Sequence, residues 1–402
     1  MKLFENGSNI HVSHYVGLKG IGGVQNNFVE YLNHAIKSDH AIKSDYKLKH
    51  KIYTLGQVDS QYKLPIDVLD IRQPRNLIAL ILDVISKETI VHFYNNLTSI
   101  KLALFFLVLP VKNLILHERG TVWNVSLNYR KLIQFVTWKA SVVLSNSHAT
   151  KTMLVHRFLV PDEKVQVLHN GIDVLSVCKH KKRNKEVSNK FRVGYIGRFE
   201  APKGVHVLID AMNYLTDENF ELILAGEGTL EDDLKSSANR MENIFFIGRV
   251  ENPYKFIGGL DLLVVPSIRE PLGNVCLEAG LCKVPVIASN VDGIPEIIEN
   301  QVSGILLNPV HLVNLIIPSG SVPVPEFVIN PNTHRLCRPM QLDPSQLAGK
   351  ITEISKDDVL REKYTERLYT KVVKNFSIER YTMKLHNIYI NLFELENKSI
   401  RS

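Results

Sequence analysis

Short runs of apolar and β-branched residues alternate along this chain with stretches whose apolar residues recur at helical spacing. In the first half the runs are NIHVSH (9–14), HKIYTL (50–55), TIVHFY (89–94), NLILHE (113–118), SVVLSN (141–146) and VQVLHN (165–170). Several are apolar along most of their length, as parallel strands buried on both faces are. Between them VQNNFVEYLNHAI (24–36) and HATKTMLVHRF (148–158) have helical spacing. A second series follows: FRVGYIG (191–197), FELILAG (220–226), NIFFIG (243–248), LDLLVVPS (260–267) and VPVIAS (284–289). Strand then helix, repeated, is the pattern of an α/β fold.

The stretch between the two series, CKHKKRNKEVSNK (178–190), is polar and lacks apolar periodicity, so it reads as a linker. The expected domains are residues 1–185 and 186–376, each Rossmann-like. Residues 377–402 are expected to form a carboxy-terminal helix packing back on the first domain. Residues 345–376 and 377–396 both read as helical. Residues 309–345, rich in Pro and Val, read as a long excursion with strand-like pieces. HAIKSD occurs twice in tandem, at 34–39 and 40–45, which reads as a local duplication. Ligands in such sheets bind at the carboxyl ends of the strands, and two halves facing each other would form a cleft for a small molecule.

Composition narrows the class. Of the 402 residues 45% are hydrophobic and 22% charged, an ordinary balance with ample core material. Residues 1–190 hold 26 Lys and Arg against 14 Asp and Glu, whereas residues 191–402 are net acidic. The basic half suits an anionic lipid, an anionic acceptor or nucleic acid. Cys178, Cys276, Cys282 and Cys337 are widely spaced and form no C-x-x-C pair, so neither a zinc site nor a disulfide framework is expected. The start, MKLFENGSNI, shows no leader pattern. The longest apolar run, LALFFLVLP (102–110), falls short of a membrane span.

Candidate chemistry centres on REPLGNVCLEAG (269–280). Pro271 biases Glu270 towards extended backbone in a strand–helix loop. Gly273 permits close backbone approach. A helix starting near Asn274 would carry Glu278 and present free N–H groups to an anion. Two carboxylates to accept from hydroxyls, with an anion site between them, suit a polyhydroxylated ligand bearing phosphate. The loop GIGGV (20–24) follows the first strand and precedes a helix, as a phosphate loop does. It is no dinucleotide fingerprint, because Gln25 stands where that motif needs glycine. No D-x-D triplet occurs, so no metal site is expected.

EPLGNVCLEAG resembles the E-x7-E motif of retaining glycosyltransferase family 4, whose members have the GT-B fold. The resemblance runs through GRFEAPKG (197–204), LAGEGTLEDDL (224–234), GRVENPYKF (248–256), VPVIASNVDGIPEII (284–298) and SGILL (303–307). It is weaker in GIGGVQNNF (20–28), HERG (117–120), SNSHAT (145–150) and LHNGID (168–173). The resemblance implies that Glu270 bonds the donor sugar and Glu278 the nucleotide ribose. Pro271, Leu272, Gly273 and Asn274 would lie against sugar and phosphate. Arg198 and Lys203, after Gly197, would clasp the diphosphate, and Gly22 and Gly23 would lie beside it. His117 would face the sugar, with Glu118 and Arg119 orienting it or touching the acceptor. Val291–Asp292–Gly293 departs from the family's paired glycines beside Glu296.

The implied activity is retaining transfer of a hexose or N-acetylhexosamine from a nucleoside diphosphate sugar, UDP foremost, to a glycan or lipid-linked acceptor in surface-polysaccharide synthesis. No cofactor is implied. The expected setting is cytoplasmic, at the inner face of an anionic plasma membrane, without nucleic acid. A sugar-nucleotide 2-epimerase, a glucan phosphorylase and a non-enzymatic sugar-nucleotide-binding partner remain open alternatives.

Overall fold

The computed structural model describes residues 8–20, 22–38, 46–176, 190–215 and 219–401. All of the expected linker except Lys190, the second HAIKSD copy and Cys178 lie outside them. The chain divides into two units, Met1–Asp173 with Ser377–Ser402, and Val174–Phe376. Each has its own hydrophobic core.

The amino-terminal unit runs β1 Ser8–Tyr15, α1 Gly23–Ser38, β2 Tyr46–Thr54, β3 Val68–Asp70, α2 Pro74–Ile85, β4 Thr89–Tyr94, α3 Ile100–Val108, β5 Asn113–Glu118, α4 Arg130–Lys139, β6 Val142–Ser145, α5 His148–Thr152 and β7 Val165–Val167. Its strands form one parallel sheet in the order β3-β2-β1-β4-β5-β6-β7. The central strand β4 and its neighbour β5 are buried at every position, as their largely apolar runs predict, and the polar Thr89, His92, Asn113, His117 and Glu118 are buried with them. The expected helix 148–158 is interrupted: α5 passes into a π-helical turn at Met153–Arg157.

The carboxy-terminal unit runs β8 Phe191–Ile196, α6 Val205–Met212, β9 Phe220–Ala225, α7 Glu231–Ser237, β10 Ile244–Phe246, α8 Pro253–Ile257, β11 Leu262–Val265, α9 Asn274–Leu281, β12 Val286–Ser289, α10 Ile294–Ile297 and β13 Ile305–Leu307. These strands make a sheet ordered β10-β9-β8-β11-β12-β13. The excursion at 309–345 supplies two antiparallel ribbons. In one, β14 His311–Leu312 pairs with β17 Met340–Gln341; in the other, β15 Val328–Asn330 pairs with β16 Arg335–Cys337. The helical stretch 345–376 is two helices, α11 Pro344–Lys356 and α12 Asp358–Phe376. Asp357 divides them: its backbone is extended, and its carboxylate accepts from Leu360 N at 2.8 Å, capping the second helix.

The last helix, α13 Ile378–Arg401, belongs to the amino-terminal unit and packs against α1, β1 and β4. Beneath it lies a layer of aromatic rings. His14, His50 and His92 point from β1, β2 and β4, His117 from β5, and His386 and Tyr389 from α13. His14 Nε2 lies 3.0 Å from His50 Nδ1, and His92 Nδ1 lies 2.8 Å from the Tyr389 hydroxyl. His92 and His117 stack at 5.3 Å between centroids. Burial is the main cause that holds these imidazoles neutral, pushing His50 down to about 4 and His386 to about 3; the Arg119 charge adds to it at His92 and His117. The opposite face of the sheet is covered by α2, α3 and α4. Asp83 of α2 takes hydrogen bonds there from Ser13 and Tyr53, and Phe106 of α3 meets Phe93. Right-handed crossovers account for this division of helices between the two faces. Among the described residues no helix is long and apolar enough to cross a membrane.

In the carboxy-terminal sheet the connections leave in opposite directions from β8 and β11, which are neighbours. The loops after these two strands are fastened together: Pro202 O accepts from Ile268 N at 2.9 Å and from Arg269 N at 3.0 Å. Gly204 makes that approach possible. Its φ is +65°, and a Cβ there would stand 2.1 Å from Pro266 O.

Two outcomes are expected. The buried histidines are depressed in the folded state, so the unfolded chain takes up protons first as pH falls through about 6.5. Stability is therefore complete above that value and declines below it, by up to about 1.4 kcal/mol per pH unit for each such histidine. Urea midpoints measured from pH 8 to pH 5 should be level and then fall, and less steeply in His386→Phe; a level profile to pH 5 refutes the layer's role. Gly204→Ala should cost about 2 kcal/mol or more through strain and backbone collision. An unchanged urea midpoint would contradict it.

Candidate functional site

Chemistry-bearing side chains collect where the two joined loops end. A parallel sheet opens a crevice at the carboxyl ends of adjacent strands whose connections diverge. In the carboxy-terminal unit that place lies between β8 and β11. The loop after β8 carries Gly197, Arg198, Glu200 and Lys203; the loop after β11 carries Ser267, Glu270, Pro271, Leu272 and Gly273.

Lys203 and Glu270 meet directly, Nζ to Oε2 at 2.6 Å, and both are largely withdrawn from solvent. The Ser267 hydroxyl donates to the same oxygen at 3.3 Å. Arg198 is exposed, and its carbonyl accepts from the buried Tyr195 hydroxyl at 2.9 Å. Pro271, Leu272 and Gly273 are buried, and Gly273, at φ +98°, precedes the first residue of α9, Asn274. Glu278 lies on that helix, half-exposed. Cys276 reports on the grouping: burial pushes its thiol up, Glu270 and Glu278 add to the rise, and Lys203 opposes it. Tyr195 is raised by burial and then by Glu270, with Arg198 opposing. Arg198, Lys203, Glu270 and Glu278 are thus brought into one electrostatic neighbourhood. The arrangement can receive a ligand with negative charge beside hydroxyls.

Two carboxylates that sequence reasoning did not single out position these groups. Asp292 is buried in a left-handed conformation, φ +47°. Its Oδ2 accepts from Glu270 N at 2.9 Å, and its Oδ1 accepts from Ile329 N in β15 at 2.6 Å. The departure from paired glycines at 291–293 therefore puts a carboxylate under Glu270 and ties the excursion to it. Glu200, also buried, accepts from the Thr229 hydroxyl at 2.9 Å and from Val322 N at 3.2 Å. The excursion is fastened to both site loops. Glu296 lies half-buried on α10.

The remaining expected residues belong to the amino-terminal unit. Gly22 precedes α1, and Gly23 is its first residue. His117 is 1% exposed within the aromatic layer, with Nδ1 3.3 Å from His92 Nε2 and no partner on Nε2. Glu118 is turned onto local backbone and accepts from Gly120 N at 2.8 Å and from the Thr121 hydroxyl at 2.8 Å. Arg119 is buried and donates to Asn27 and, at 2.5 Å, to Asn170. Near them Glu30 of α1 is pushed up to about 7 by burial and by Asp173. No motif marks Glu30; the GIGGV loop just ahead of its helix was the available signal.

Residues 177–317 match the family model for glycosyl transferases group 1. The capsular polysaccharide biosynthesis glycosyltransferase CapM of Staphylococcus aureus is 28% identical over 42% of this chain and 48% of that protein. The N-acetylgalactosamine-N,N'-diacetylbacillosaminyl-diphospho-undecaprenol 4-alpha-N-acetylgalactosaminyltransferase of Campylobacter jejuni is 27% identical over 45% of this chain and 50% of that protein. The chain spans about half the length of the curated relatives it matches. In overall fold it is similar to Anabaena HepE, solved in complex with UDP and glucose, with a TM-score of 0.72 and 18% identity over 95% of this chain and 100% of that one. The two parallel-sheet α/β units are those of the GT-B fold, and the group 1 glycosyl transferase match falls on the unit that holds the Lys203–Glu270 site.

Proposed function

We propose that this chain is a retaining glycosyltransferase of family 4. It moves a hexose or N-acetylhexosamine from a nucleoside diphosphate sugar, UDP foremost, to a glycan or lipid-linked acceptor in surface-polysaccharide synthesis. The observation that carries this reading is the Lys203–Glu270 pair at the junction of the β8 and β11 loops, with Arg198 and Glu278 in the same electrostatic neighbourhood. The complex of Anabaena HepE with UDP and glucose, and the diphospho-undecaprenol in the name of the Campylobacter relative, favour the donor and the acceptor class.

In this reading the two charges of the pair satisfy each other until donor arrives. Lys203 then turns with Arg198 to the diphosphate, and the Glu270 carboxylate accepts from a sugar hydroxyl. Glu278 holds the ribose. The backbone of Pro271 to Asn274 lies along sugar and phosphate, and Gly197, Gly22 and Gly23 allow the diphosphate close approach. As the glycosidic bond breaks, negative charge grows on the leaving diphosphate. Cations already in place stabilise it without reorganisation, which makes a divalent metal unnecessary. The leaving phosphate helps to deprotonate the acceptor hydroxyl, which enters on the face the leaving group vacates, so the anomeric configuration is retained. His117, held neutral by burial, is the residue to which the resemblance gives the sugar contact. The protein works in the cytoplasm, at the inner face of an anionic membrane.

Transfer from UDP-sugars should fall about 100-fold or more in Arg198→Ala, Lys203→Ala and Glu270→Gln, while EDTA leaves the wild-type rate unchanged and NMR shows an unaltered anomeric configuration. Near wild-type rates in the three variants would refute the assigned roles.

A further inference from the structure

The amino-terminal unit exposes apolar surface that its own core does not need. On α3 the residues Leu102, Ala103 and Phe106 face inward. The opposite stripe, Ile100, Leu104, Leu107 and Val108, recurs at the spacing of one helix face, yet these residues are 58%, 58%, 65% and 81% exposed. The adjoining helix α4, which packs on α3, adds Trp138 at 67% exposure, with the Lys139 ammonium 5.2 Å from its ring centroid. On the same face of the sheet, α2 exposes Ile78 and Leu82. A soluble helix ordinarily turns such a stripe inward, and exposed apolar patches of this kind mark interaction sites.

Charge identifies the occupant. From Thr89 to Pro161 the sequence holds eight Lys and Arg and one carboxylate, Glu118. Glu118 is fully buried and engaged with backbone N–H groups. Lys101, Lys112 and Lys131 are exposed around the stripe, so the segment that carries it presents cations and no carboxylate of its own to solvent. An apolar stripe flanked by lysines, with an aromatic ring at the border, suits an anionic bilayer surface. The apolar side chains enter the acyl boundary and the cations meet the headgroups. A protein partner of opposite charge would satisfy the lysines, but a stripe made wholly of branched aliphatic side chains with cations at its edges suits the acyl boundary and headgroups of an anionic bilayer better.

We infer that the exposed face of α3 and α4, centred on Leu104, Leu107 and Trp138, is a docking surface for the anionic lipid bilayer. The inference deepens the membrane part of the proposed function by assigning it to named residues. It does not depend on sugar transfer, because vesicle binding and donor binding are read separately.

The test uses the full chain with phosphatidylcholine vesicles, with and without phosphatidylglycerol, at low and at physiological salt. The chain has two tryptophans, and Trp123 is fully buried. A blue shift on vesicle addition should therefore come from Trp138 and vanish in Trp138→Phe. Co-sedimentation with phosphatidylglycerol vesicles should fall about tenfold or more in Leu104→Glu/Leu107→Glu, while the thermal shift given by UDP-sugars stays as in wild type. Wild-type protein that ignores phosphatidylglycerol vesicles at low salt overturns the proposal. So does equal binding by the double variant, or a concentration-dependent dimer that the double variant abolishes, which would make the face a contact between copies. If the double variant does not fold, the Trp138 shift decides. Loss of the UDP-sugar thermal shift in wild type, with vesicle binding intact, would sink the transferase reading and leave the docking surface standing.

Discussion

A 2.6 Å contact between the Lys203 ammonium and the Glu270 carboxylate joins two loops whose residues stand 67 positions apart in the chain. Neither charge could be withdrawn from water alone without a large penalty, so each loop's conformation depends on the other's. The backbone agrees with the side chains. Pro202 O holds Ile268 and Arg269, Gly204 lets the strands' extensions touch, and Asp292 grips the backbone of Glu270 from below. A site built this way is preformed and poised. In the proposed reading the cation turns to a phosphate and the carboxylate to a hydroxyl when donor arrives. Binding in that reading would exchange one set of ionic hydrogen bonds for another without rebuilding the loops.

The excursion at 309–345 extends the same logic. Seen as sequence it is a Pro- and Val-rich stretch without a role. In the structure its backbone donates to Glu200 through Val322 and to Asp292 through Ile329, and these carboxylates sit on the two sides of the site. Both are buried acids that accept hydrogen bonds from backbone N–H groups. The long segment thus braces these loops through its backbone N–H groups.

How much of this could be read from residues alone follows from what each feature depends on. The strands were legible because parallel strands buried on both faces leave largely apolar runs, as TIVHFY and NLILHE do. Glu270 was legible as a loop carboxylate because the bias that Pro271 sets on it is local in sequence, whereas Arg198 and Lys203 were pointed to by the resemblance. Asp292 was not: its function needs a positive φ and a distant β-ribbon, and neither leaves a local pattern. The division of 345–376 into two helices hinged on Asp357 serving as terminus and cap at once. The histidine layer needed α13, at the far end of the chain, to fold back over β1 and β4. The run at 102–110 read as apolar, but only packing tells which of its residues face water. Its Phe106 is core and its Val108 is surface.

The central claim is that fixed cations at the β8–β11 junction hold a diphosphate. It is tested most directly by calorimetric titration in EDTA with uridine, UMP and UDP, on wild type and on Lys203→Ala. The account predicts that affinity in the wild type rises steeply from UMP to UDP, and that this gain collapses in the variant while uridine binding is kept. Binding of UDP only when a divalent metal is supplied, or an undiminished gain in the variant, would contradict it.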